Sequence, residues 1–199
     1  MTFDSAARAF AALVHTIPES AWAGPGLGEW DLRALVGHTS RSLITVSTYL
    51  QNTADHEDVH DAADYYVKIA DYAAAAGAAA IDERARKAGR ELGEDPAAKI
   101  DVLLERVLED VASVGDPLIE VIGGLGVRLS NYLPTRVFEL AVHSLDIAKA
   151  ANVGFALPPD VLADATALAA RIGIALGRGE MVLTALTGRA PLPTGFSVV

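Results

Sequence analysis

Apolar residues recur at helical spacing along most of the chain, and the places where that spacing stops mark the joints between elements. Phe10, Leu13, Val14 and Ile17 form the inner stripe of a first helix that Thr2 or Asp4 can cap, that runs to about Thr16 and that Pro18 ends. Ala23-Gly-Pro-Gly-Leu-Gly28 is a loop by composition. Asp31 then caps a helix with the stripe Leu32, Leu35, Val36, Thr39, Leu43, ending near Asn52.

The polar connection Asn52-Thr-Ala-Asp-His-Glu-Asp-Val-His60 leads into a helical stretch that begins near Asp61. The alanine-rich run Ala73 to Ala80 has high helix propensity and continues that stretch through Arg84, Lys87 and Arg90 to Gly93. Asp95 as cap and Pro96 at the first position start a helix through Ile100, Leu103, Leu104, Val107, Leu108 and Val111, which stops around Gly115. From Pro117 to Asn131 the helical period fails, and the segment reads as a short hairpin or a bent loop, which periodicity does not separate. Thr135 caps the next helix, which ends near Asn152-Val-Gly154. Pro158-Pro159 opens another to about Gly177, and Glu180 to Thr187 makes a short last one. The pattern predicts an all-α chain, with at most one hairpin, organised as a helical bundle.

Within the helix that Thr135 starts, Glu139 and His143 stand four residues apart, so their side chains share one face at about 5 to 6 Å. That face is the apolar stripe Leu140, His143, Ile147, Ala150, where a carboxylate needs positive compensation. A metal ion supplies it; so does an arginine, and Arg136 lies one turn before Glu139. His38, interior to the second helix and roughly 10 Å from its start at 1.5 Å per residue, is a third candidate ligand. Two imidazoles and a carboxylate would form an open divalent-metal site suited to zinc, and also to iron(II), manganese or nickel. Asp146, one turn beyond His143, either orients that imidazole or is a solvated helix residue. Arg41, one turn beyond His38, either meets a substrate carboxylate or is an exposed helix arginine. His15, His56 and His60 fall on an amphipathic helix or in the polar connection and read as solvated residues.

Composition narrows the classes. With 199 residues, 51% of them hydrophobic, the chain can bury one sizeable core, which suggests one domain. A net charge of -10 with no Lys/Arg cluster argues against nucleic-acid or anionic-membrane partners. No signal-peptide pattern is present and no apolar run reaches about 18 residues, so the expected location is the cytoplasm. Cysteine is absent, so any metal must be held by His, Asp or Glu, and any thiol chemistry needs a thiol from outside. Leu118 to Ile122 and the apolar tail Phe196 to Val199 are candidates for a homodimer contact.

The segments Trp30-Asp-Leu-Arg-Ala-Leu-Val-Gly-His38 and Thr135-Arg-Val-Phe-Glu-Leu-Ala-Val-His-Ser-Leu-Asp146 resemble the two signature segments of the mycothiol-dependent maleylpyruvate isomerase family, within the DinB-like metalloenzymes. The likeness runs from the first helix to about Asn152. It implies an up-down-down-up four-helix bundle forming a single DinB-like domain over 1–199, with its core in about 1–152 and extra C-terminal helices in about 158–199. It also implies a divalent metal, zinc first, on His38, Glu139 and His143, with Arg136 and Asp146 around them. Members activate mycothiol, the small thiol of actinobacteria, and the alanine-rich, lysine-poor composition fits such a source. The isomerase itself carries a further C-terminal domain that contributes to its active site, whereas about fifty residues follow the Glu139 helix here. The resemblance therefore implies thiol-dependent transfer or isomerisation of a small electrophile in general, or hydrolysis if water takes the open metal position in place of the thiol. The alternative is a non-catalytic bundle that binds a metal or ligand.

Overall fold

Capping carboxylates start several helices where the sequence places them, and the exceptions are instructive. The computed structural model describes residues 1–199 apart from the side chains of residues 71, 73–76 and 78. The first helix, α1 (Thr2–Val14), has no side-chain cap: Met1 holds the capping position, Thr2 and Asp4 lie inside, and Asp4 binds Arg8 one turn on at 2.9 Å. With Met1 exposed at the capping position, the first N–H groups can be met by water, so neither expected cap is needed. In α2 (Leu32–Tyr49) the Asp31 carboxylate accepts the Ala34 N–H at 2.7 Å, as expected. Asp61 likewise accepts from Ala63 and Asp64, each at 2.8 Å, at the start of α3 (Ala62–Ala76).

The single helix expected from Asp61 to Gly93 is two. Gly77 adopts φ +74° and separates α3 from α4 (Ala78–Glu91), because a left-handed residue cannot continue the ladder of a right-handed helix. Asp95 caps α5 (Pro96–Ala112), accepting from Ala98 at 3.0 Å.

The segment whose period failed is a hairpin. Strands β1 (Leu118–Val121) and β2 (Leu125–Arg128) pair antiparallel, Leu118 with Arg128 and Val121 with Leu125, around a turn in which Gly123 and Gly124 have positive φ. Thr53 and Val59 of the polar connection bridge to Ile119 and Val127, so that connection lies along the hairpin. Ile119 and Val121 are buried within the chain.

The hairpin leads directly into α6 (Leu129–Ala151), which begins six residues before the expected start at Thr135 and runs through Pro134. Two contacts override the helix-stopping signal. Asp116 accepts from the Ser130 N–H at 2.7 Å and from its hydroxyl at 2.9 Å, fixing the first turn, and Tyr132 and Leu133 are buried in the core. Thr135, now interior, donates its hydroxyl to the Tyr132 carbonyl at 2.6 Å. The helix ends at Asn152, left-handed at φ 53°. Two further helices follow, α7 (Pro159–Ala175) and α8 (Gly179–Leu186).

Packing closes a ring of four: α1 and α2 each lie against both α5 and α6. Phe10, Leu13, Leu32, Leu35, Leu43, Ile100, Leu140 and Ile147 are fully buried inside it. Outside the ring, α3 and α7 pack on α6, and α4 packs on α2. The α2–α4 contact is backbone against backbone, for a Cβ at Gly37 would run into the Gly89 nitrogen and the Ala88 carbonyl carbon. No helix is long and apolar enough to cross a membrane among the described residues.

Candidate metal centre

Two neighbouring helices of the ring bring the three candidate ligands together. His38 stands on α2 beside the fully buried Leu35, Val36, Thr39 and Leu43, which fix the rotation of that helix. Glu139 and His143 stand on α6 beside Leu140 and Ile147, equally buried. One nitrogen of each histidine and one carboxylate oxygen all lie within 4.8 Å of one another, and the two imidazoles meet edge to face at 5.0 Å. Among the described residues this is the one group of three or more such ligands.

Each ligand is held from behind. The Nδ1 of His143 donates to Asp146 Oδ2 at 3.2 Å, which turns Nε2 towards Glu139 Oε2, 3.4 Å away. This is how an oriented metal-binding imidazole is built. The phenol of Tyr66 lies 2.8 Å from Glu139 Oε1. The indole of Trp30 lies against His38, ring centres 4.7 Å apart, and donates from Nε1 to Asp82 on α4 at 2.8 Å.

The charges of the three groups diverge. Burial, aided by the neighbouring His143, pulls His38 down to about 4, so it is neutral at pH 7 with a lone pair to give. Burial would also lower His143, but the carboxylates of Asp146 and Glu139 outweigh it and lift that imidazole to about 9. For Glu139 burial works upward, yet the His143 hydrogen bond and the Arg136 charge prevail and hold it at about 2. Without a metal, a proton on His143 compensates the carboxylate. A divalent cation would replace that proton, and the donor set of two nitrogens and one anionic oxygen fits it.

Two of the three, His38 and Glu139, face a cleft of about 840 Å³, mouth included, which is lined also by Arg41, Arg84, Arg136 and a wall of tyrosines. Four of the chain's five tyrosines, Tyr49, Tyr65, Tyr72 and Tyr132, line it, and the fifth is Tyr66. Arg136 makes no ion pair with Glu139 among the described residues. Its guanidinium lies over the rings of Tyr132 at 4.9 Å and Tyr65 at 5.6 Å, where aromatic faces stabilise the cation without a carboxylate. Arg41 lines the cleft as well. His15 and His56 pair instead with Asp101 and Asp58, away from the three ligands.

Sequence reasoning missed Tyr66, Trp30 with Asp82, and Arg84. Trp30 lies inside the signature segment and could have been marked. The others belong to α3 and α4, whose packing beside the ligand helices no local pattern encodes. In the comparisons, the family described as mycothiol maleylpyruvate isomerase N-terminal domain matches residues 3–148. No curated protein and no solved structure matches the chain.

Proposed function

Because this chain belongs to the mycothiol maleylpyruvate isomerase N-terminal domain family, with an all-α, DinB-like bundle, we propose that it is a metal-dependent enzyme. In this reading it activates a small thiol, mycothiol first, for S-transfer to a small electrophile or for that electrophile's isomerisation. The observation that carries it is the convergence of His38, Glu139 and His143, with His38 and Glu139 on the wall of an open cleft. An ion that served stability alone would sit in a closed site with a fourth protein ligand, and among the described residues no fourth carboxylate or imidazole joins these three.

The residues divide the work. His38 gives a neutral nitrogen and Glu139 an anionic oxygen, while His143 gives Nε2 once its proton has left. Asp146 keeps His143 in the tautomer with Nδ1 protonated. A divalent cation held there, zinc first, lowers the pKa of a thiol or water that reaches it and so makes a nucleophile available at neutral pH. Arg41, with Arg84 and Arg136, gives the cleft a positive lining that suits an electrophile bearing a carboxylate, which planar guanidinium groups grip in two-point fashion. The tyrosine wall offers apolar faces to the rest of the ligand.

The test is direct. His38→Ala and Glu139→Ala should each lose stoichiometric metal by elemental analysis and lose mycothiol-dependent consumption of a generic electrophile, while the parent protein shows both. A variant that keeps its full metal content overturns the assignment of ligands. Consumption of the electrophile by the parent without any thiol would assign the nucleophile to water.

A further inference from the structure

Tyr66 contacts a metal-ligand carboxylate from outside the two helices that carry the ligands. It sits near the start of α3 with 8% of its surface exposed, and its ring packs edge-on against Phe138 at 5.5 Å and Tyr65 at 5.6 Å. Its hydroxyl has two acceptors in reach, Glu139 Oε1 at 2.8 Å and the Thr135 carbonyl at 3.2 Å. A phenol has one hydrogen to donate, and the shorter contact, to an anionic oxygen, takes it. The two oxygens of Glu139 are thereby distinguished: Oε1 is engaged by Tyr66, and Oε2 faces His143.

We propose that Tyr66 is a positioning residue that fixes the plane of the Glu139 carboxylate and presents Oε2, and not Oε1, to a cation beside His38 and His143. The inference rests on the reading of these three residues as a metal site. Its physical basis is that the terminal torsion of a glutamate is broad, so the carboxylate of an untethered Glu139 would rotate and expose either oxygen. Ordering it at each binding event costs conformational entropy, which a standing hydrogen bond removes in advance. The tether comes from α3, so the segment that also lines the cleft with Tyr65, Ile69 and Tyr72 sets the geometry of a ligand held on α6.

Phenylalanine fills the same space, since every ring contact remains and only the hydroxyl is lost. Full-length Tyr66→Phe, stripped of metal, is titrated with cobalt(II) alone beside the parent protein and Ile100→Val, a buried change on α5. Dissociation constants and the visible absorption of the bound cobalt are recorded. Tyr66→Phe is expected to bind about 10-fold or more weakly, in line with other contacts to metal ligands, and to change the cobalt spectrum. Ile100→Val is expected to keep the parent affinity and spectrum whatever it does to the melting temperature, which separates positioning from stability. An unchanged affinity and spectrum in Tyr66→Phe overturns the inference and leaves the metal site standing. Failure of the parent itself to bind cobalt overturns the metal site and this inference together.

Discussion

At the scale of single residues, His143 decides how the centre responds to pH. Burial disfavours its charge, but the flanking carboxylates of Asp146 and Glu139 win and hold its pKa at about 9, against about 4 for His38. In the metal-free protein at pH 7 a cation must therefore displace one proton, from His143, and none from His38. Affinity for a divalent metal should rise about tenfold per pH unit up to about pH 9 and then level off. Calorimetry in buffers of different ionisation enthalpy should find close to one proton released per ion at pH 7; release of none would show that His143 is not a ligand. The pair also contributes to stability in a defined window. His143, raised from 6.5, contributes fully below that value and loses its contribution as pH rises through about 9. Glu139, lowered from 4.5, contributes above that value and loses it as pH falls through about 2.

At the scale of elements, the contact between α2 and α4 is set by two glycines. A Cβ on Gly37 would meet the backbone of residues 88 and 89, and one on Gly89 would meet that of residues 33 and 34. Backbone cannot swing aside as a side chain can, so Gly37→Ala must push α4 away from α2. Overpacking of this kind costs about 1 to 3 kcal/mol, and here it should also draw Ile81 and Arg84 off the cleft and the Asp82 acceptor away from Trp30. A thermal melt should show a loss of several degrees for Gly37→Ala. Gly115→Ala should be close to neutral, since nothing lies within 4 Å of its added methyl group. Equal melting of the two variants would mean that α4 is not pinned to α2 in this way. The break at Gly77 belongs to the same scale: it lets α4 fold back across α2, which one unbroken helix from Asp61 could not do.

At the scale of the whole molecule, net charge and local charge point in opposite directions. Acidic side chains outnumber basic ones by 26 to 16, yet Arg41, Arg84 and Arg136 share one cleft whose described acidic lining is Glu139 alone. The bundle thus gathers three cations around one cleft of an otherwise acidic chain. His38, Glu139 and His143 also join α2 to its neighbour α6, so an ion that binds only the folded chain must stabilise it by mass action. At a free metal concentration 1,000 times the dissociation constant this amounts to about 4 kcal/mol. For a domain of this length that is about 10 °C in melting temperature. Scans with zinc and with a chelator should differ by roughly that much in the parent protein and not in His38→Ala. A parent melting temperature indifferent to chelation would remove the ion from any role in the fold.

What the sequence determined by itself was whatever depends on near neighbours along the chain. The caps at Asp31 and Asp95, the apolar stripes of α2 and α6, and the shared face of Glu139 and His143 follow from local hydrogen bonding and helical spacing. Residue type and position on the second helix also offered His38 as a third candidate, and the resemblance tied it to the other two. Tertiary structure decided the rest: that His38 meets the other two, that Tyr66 donates a hydrogen bond to Glu139, 73 residues away, and that Arg136 rests on tyrosines and not on Glu139. It also carried α6 back through Pro134, where Asp116 and buried side chains outweighed a local stop signal. Contacts between distant segments are fixed by how helices pack, and packing depends on the whole set of faces at once, which no single stretch of sequence contains.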